Sequence, residues 1–170
     1  TVPTIPANVI AFGSEVAARS ANESYLFEGE GSNASVAVFE LDHSRYISVG
    51  GKVVASSWSS DMRVERMLGH LPALLHPQPK SVLVVGFGAG VTAGSVLVHP
   101  EIERIVLCEI EPIVPKASGE HFASENYDFL NDPRIEVIYD DGRHFIATTD
   151  EKFDIITTDP IHPWMNGSAV

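Results

Sequence analysis

Four short stretches carry side chains able to do chemistry, and each follows a run of β-forming residues. The first is Gly86-Phe87-Gly88-Ala89-Gly90, directly after Val82-Leu83-Val84-Val85. Glycines there let the backbone turn sharply and let a ligand approach it without a Cβ in the way. A turn of this kind serves nucleotide or nucleoside binding, or simply packs a helix on a strand. The second is Glu109, 19 residues past Gly90 and near the end of the next β run. A carboxylate at that place can accept two hydrogen bonds from the hydroxyls of a ribose. Its alternative is a solvated strand-end charge, which is how Glu111 reads. The third is Asp140-Asp141-Gly142, where a carboxylate or neighbouring amide can meet the exocyclic amine of adenine, or cap a helix. The fourth is Asp159, in Asp159-Pro160-Ile161-His162-Pro163-Trp164. A carboxylate there can act as a general base if it reaches a reacting proton, and Asp-Pro is also a turn initiator.

Positioning four such groups at one rim requires parallel strands with their carboxyl ends together. The sequence alternates accordingly. Strands are expected at Val82 to Val85, Arg104 to Ile110, Ile135 to Tyr139 and Phe153 to Thr158, with helices between them. A further helix is expected from Asp61 as cap, with Val64, Met67, Leu68, Leu71, Leu74 and Leu75 at three-to-four spacing, ended by Pro77 and Pro79. Ahead of it, Pro6 with Val9, Ile10, Phe12 and Val16 predicts a short helix. Between Tyr25 and Ala55 the character is β: a run ending at Leu41, then Arg45 to Val49, then Lys52 to Ala55 after the Gly50-Gly51 turn. The domain reading is a helix and small β meander over 1–60, and a Rossmann-like nucleoside-binding domain over 61–170.

Composition bounds the function. With 170 residues and 44% apolar content the chain can bury a core of its own. A net charge of −12 with no run of Lys and Arg excludes a general nucleic-acid binder and favours cationic partners such as amines. Cys108 is the single cysteine, so neither a disulfide nor a cysteine-based zinc site can form within one chain. The histidines show no metal-ligand spacing, and no metal is expected. The start at Thr1 is neither basic nor followed by an apolar run, which predicts a cytoplasmic location. Ser81 to Pro100 holds no Asp, Glu, Lys or Arg. Its glycines, and the change from β-branched to small residues, make it a strand, turn and helix instead of a membrane span.

Taken in order, Met67-Leu68-Gly69-His70-Leu71-Pro72, Val82 to Gly86, Cys108-Glu109-Ile110-Glu111, Asp132-Pro133-Arg134, Asp141-Gly142 and Asp159 resemble the spermidine synthase family. Asp159 to Trp164 and Gly90-Val91-Thr92-Ala93-Gly94 resemble the spermidine-synthase-like domains fused to bacterial transporter segments, so the parent protein is expected to carry membrane segments. The resemblance covers Ser35 to the end. It implies a Rossmann-like sheet of the class I methyltransferase type after a small β domain. It also implies an aminopropyltransferase that takes decarboxylated S-adenosylmethionine and an amine and releases 5′-methylthioadenosine. By the same resemblance the glycine turn binds the donor, Glu109 holds its ribose, Asp140, Asp141 and Gly142 meet the adenine, and Asp159 takes the proton of the attacking amine.

Three positions depart from the family pattern. Ala89 stands where an Asp binds the aminopropyl ammonium, Val64-Glu65 replaces a Tyr-His pair, and His162 replaces a second acid. Glu65, His162 and Trp164 are therefore the candidate acceptor-side residues. With Ala89, ordinary S-adenosylmethionine and methyl transfer become an alternative, and a non-catalytic nucleoside sensor attached to a membrane partner is a third. Only four strands of a family sheet of seven can be read. The chain is thus expected to be a fragment, self-associating through the apolar edge at Phe153 to Thr158.

Overall fold

The computed structural model describes residues 4–13 and 22–158. Helix α1 (Ala7–Phe12) leads into an antiparallel sheet of β1 (Ser24–Glu30), β2 (Ser35–Leu41), β3 (Ser44–Val49) and β4 (Lys52–Ser56), in that order. The meander has four strands, not the three expected. β1 alternates exposed and half-buried residues and is rich in Glu and Gly, so its sequence lacks the apolar signal of its neighbours. β2 is buried on both faces. Ala37 and Phe39 pack under Ile10 and Phe12 of α1, while Val36 and Val38 join the larger core.

The second sheet is parallel, with β5 (Ser81–Val85), β6 (Arg104–Glu109), β7 (Ile135–Tyr139) and β8 (Ile155–Thr158) in the order β7-β6-β5-β8. The alternation legible in the sequence is thus realised, and Ser81 to Pro100 forms β5, the glycine turn and α3 (Val91–Leu97). Among the described residues no helix is long and apolar enough to cross a membrane. The first two crossovers, through α3 and α4 (Ile113–His121), step outward from β5 in one direction. The third, through α5 (Gly142–Thr148), returns past β6 and β5 to reach β8. Because such crossovers are right-handed, the reversal places α5 on the opposite face. Accordingly Leu83, Val106 and Cys108 pack with Phe145 of α5, whereas Val82, Val84, Ile105 and Leu107 face the core shared with α3, α4 and the β meander.

Helix α2 (Ser59–Leu75) differs from its sequence pattern in two ways. It starts before Asp61, which lies in the first turn and accepts from Ser56 Oγ at 2.5 Å instead of capping. It also buries Met62, Glu65, Gly69 and Ala73, while Val64, Met67, Leu71, Leu74 and Leu75 are exposed. Small residues decide the buried face: a Cβ at Gly69 would sit 2.6 Å from Thr92 O, so only glycine admits α3 this closely. Pro72 inside α2 has no N–H for the Leu68 carbonyl four residues back. That carbonyl accepts instead from Thr157 Oγ1 at 3.1 Å, fastening α2 to β8. Asp132-Pro133-Arg134 is likewise structural. The Arg134 guanidinium is held by Asp132 and donates to the carbonyls of Leu97 and Ile102 at 2.9 and 3.0 Å, closing the end of α3.

Candidate functional site

The carboxyl ends of the parallel strands come level. Val85 pairs with Cys108 on one side and Thr158 on the other, and Glu109 pairs with Tyr139. Gly86, Glu109 and Asp140 therefore share one rim, at the strand-order reversal around β5 where open parallel sheets bind ligands. Gly86, Gly88 and Gly90 all adopt positive φ, at 84°, 54° and 81°. Three such residues in five explain why this turn is glycine-built. A Cβ on Gly86 would meet nothing within 4 Å, so the backbone there faces open space. Behind the turn, Ser118 Oγ donates to Gly88 O at 2.5 Å and Asn126 Nδ2 to Ala89 O at 3.1 Å. Neither residue was legible as a site element, because each acts through a carbonyl and not through a motif.

Glu109 is buried, and both its oxygens are engaged. Phe87 N, inside the glycine turn, donates to Oε2 at 2.9 Å, and Glu111 N donates to Oε1 at 2.9 Å. Burial pushes its pKa up, while the backbone donors oppose that shift. Two N–H bonds leave half of a carboxylate's four lone-pair sites for a ligand. The group is thus fixed in direction, tied to the turn, and still able to accept from a pair of hydroxyls.

Glu111 is not the solvated charge its position suggested. It is 2% exposed, and its carboxylate accepts from Asn33 N at 2.6 Å, Ala34 N at 3.0 Å, and Ser32 N and Ile113 N at 3.3 Å. Burial raises its pKa, but the four backbone donors outweigh that and hold it below the usual carboxylate range. The turn between β1 and β2 is thereby clamped beside Glu109. The only sequence signal was a second acid two residues after the first.

At the end of β7, Asp140 accepts from Asp141 N at 2.8 Å and pairs with His144 at 2.7 Å, which raises the histidine's pKa. Asp141 caps α5 by accepting from Arg143 N at 2.8 Å, and its other oxygen pairs with the Arg143 guanidinium at 2.9 Å. Hydrogen bonding to that guanidinium lowers the Asp141 pKa to about 2. The capping role is therefore present. Gly142 is required for packing, since a Cβ there would lie 2.4 Å from Val85 Cγ1. Cys108 lies beneath this rim, buried, with its thiol pushed up to about 11 by burial and the surrounding carboxylates.

Of the residues expected on the acceptor side, Glu65 is buried on α2, and its carbonyl accepts from Thr92 Oγ1 at 3.1 Å, two residues past Gly90. Ala89 is completely buried within the apolar core. Asp159, His162 and Trp164 lie outside the described residues; Thr158, which precedes Asp159, pairs with the residue before Gly86.

Known proteins share this fold. The structure superposes on that of a spermidine synthase in complex with the transition state analogue AdoDATO with a TM-score of 0.74 and 28% identity, covering 82% of this chain and 47% of that one. The spermidine synthase from Thermotoga maritima gives a TM-score of 0.71 at 27% identity, over 79% and 47%. In sequence, polyamine aminopropyltransferase 1 of Pseudomonas aeruginosa is 31% identical over 144 residues, which is 83% of this chain and 50% of the relative. A polyamine aminopropyltransferase of Leptospira biflexa is 41% identical over 100 residues, 57% and 35% of the respective lengths. The chain thus spans half or less of these relatives. Residues 61–170 match the family model of the spermine/spermidine synthase domain. With that match running from α2 through every strand of the parallel sheet, the chain belongs to the spermine/spermidine synthase family.

Proposed function

We propose that the chain is the donor-binding part of an aminopropyltransferase-like enzyme. It would bind an adenosyl sulfonium, decarboxylated S-adenosylmethionine or a close relative, and an aminopropyl group would pass to a small amine with release of 5′-methylthioadenosine. The observation that carries this reading is Glu109, buried, fixed by two backbone N–H groups and tied to a glycine turn with an open backbone face. Such a carboxylate suits the paired hydroxyls of a ribose. From β7 to β8 the rim spans three strand spacings, about 14 Å, which suits adenine near Asp140, Asp141 and Gly142 and the sulfonium nearer Asp159. In this reading Asp159 accepts the proton of the attacking amine while the site holds nitrogen and sulfonium in line. Glu65, His162 and Trp164 supply the acceptor side, and no step calls for a metal.

Ala89 favours a second reading. Its side chain is apolar and wholly buried where the family places an ammonium-binding acid, which suits ordinary S-adenosylmethionine and methyl transfer. Product analysis separates the two, because methyl transfer releases S-adenosylhomocysteine. The site itself is tested by titrating the chain calorimetrically with 5′-methylthioadenosine and repeating the titration on Glu109→Ala. Affinity is expected to fall at least tenfold, about 1.4 kcal/mol. Equal affinity in the two proteins would remove Glu109 from the site.

A further inference from the structure

Helix α2 carries a second feature on a flank that neither the core nor the parallel-sheet rim uses. Successive residues turn by about 100°, so positions 59, 63, 66 and 70 share one stripe between the buried and the apolar faces. That stripe lines an open cleft of about 670 Å³, closed on its far side by Ser57 and the 124–125 segment. Arg63, Arg66 and His70 project along it, with the hydroxyls of Ser57, Ser59 and Ser124 around them. None of Gly86, Glu109, Asp140 and Asp141 lines it.

The charges in this cleft are unusual for the chain. There are 23 acidic residues against 11 Lys and Arg, so carboxylate partners are abundant. Among the described arginines Arg45, Arg104, Arg134 and Arg143 all have them, yet neither Arg63 nor Arg66 makes an ion pair. Arg66 Nε is shielded from solvent with no hydrogen-bond partner. Among the described residues Glu125 is the one acid in the cleft, and it is already engaged by Arg45 and by Ser124 Oγ at 2.6 Å. Two like charges one turn apart on a helix destabilise it, and a buried donor left unpaired adds to that cost. An anion bound between them relieves both.

We propose that this cleft binds a soluble phosphate monoester, at a site separate from the nucleoside site, with Arg63 and Arg66 as the recognising guanidinium pair. Planar guanidinium forks match phosphate oxygens two at a time, and the hydroxyls of Ser57 and Ser59 complete the donor set. Met62 and Met67 supply an apolar wall for the ester's organic part. The recess favours a small soluble ligand over a membrane surface.

The test is a calorimetric titration of the full chain with phenyl phosphate. One site per chain is expected, weakened at least tenfold by Arg66→Gln and by Arg63→Gln, and less by Arg66→Lys, which keeps the charge but loses the fork. Lys152→Gln removes one exposed positive charge elsewhere and should leave the affinity unchanged. Saturating 5′-methylthioadenosine should not compete, which keeps this test independent of the aminopropyltransferase reading. The proposal fails if no binding is seen up to about 10 mM, weaker than any functional site of this kind. It also fails if Lys152→Gln costs as much as Arg66→Gln, if methylthioadenosine competes, or if only phosphatidic acid vesicles bind. Should circular dichroism show Arg66→Gln unfolded, Arg63→Gln decides, because Arg63 is exposed.

Discussion

Replacing Glu111 by Gln tests whether the clamp beside the nucleoside rim holds the β meander to the parallel sheet. The carboxylate is 2% exposed and accepts four backbone N–H bonds, three of them from residues 32–34. A glutamine keeps one oxygen and turns an amide against donors that need an acceptor. Two bonds are lost and two buried N–H groups are orphaned, a loss of roughly 3–6 kcal/mol at about 1.5–3 kcal/mol for each hydrogen bond to a charged group. Relief from burying a charge returns part of that, leaving about 2 kcal/mol net. The assay is urea unfolding at pH 7, 5.5 and 3.5. The folded pKa of Glu111 is depressed, so its contribution is present above the unfolded value and disappears as pH falls through the folded one. The difference between wild type and variant should therefore hold from pH 7 to 5.5 and shrink below about 4.3, the unfolded glutamate value. A variant within about 0.5 kcal/mol of wild type at pH 7, the scatter of ordinary surface substitutions, would refute the clamp, as would a difference independent of pH.

Two further perturbations probe the rim. Gly142→Ala places a Cβ 2.4 Å from Val85 Cγ1 and forces α5 away from β5. Destabilisation of about 1–3 kcal/mol is expected in urea melts, together with weaker methylthioadenosine binding; an unchanged melt would mean α5 shifts freely. Cys108, with its thiol pushed up to about 11, should resist alkylation at pH 8 in the folded chain and react at the ordinary rate in urea. Fast labelling of the folded protein would show that the layer beneath the rim opens readily.

How much of this was legible in the sequence depended on whether a residue acts through its own pattern. The parallel strands announced themselves as short β-branched runs with glycine or acid at their ends. The glycine turn and Glu109 followed from the same logic, and the structure brings them together. The spacing of Val64, Leu71 and Leu74 gave the helix α2 but not its buried face, because close packing against α3 selects the small residues Gly69 and Ala73. Glu111 looked expendable because its partners are backbone N–H groups nearly eighty residues away. Arg63 and Arg66 gave no basic run, since a helix gathers residues three and four apart that a linear scan keeps separate. Asp141 had two readings from the start, and the cap is one that the structure contains.

The double burial of β2 has a consequence for how the chain is made. Val36 and Val38 share a core with Val114, Ala117 and Phe122, so the strand leaves the ribosome with its packing partners about eighty residues behind. At about 5–20 residues per second, that delay is some 4–16 s, during which one face of the nascent meander is wet and apolar. The first four strands can pair with one another in that interval, but they cannot bury their inner surface until α4 has been synthesised. Nascent chains stalled before α4 should therefore be protease-sensitive and bound by chaperones, while those stalled after β8 should not.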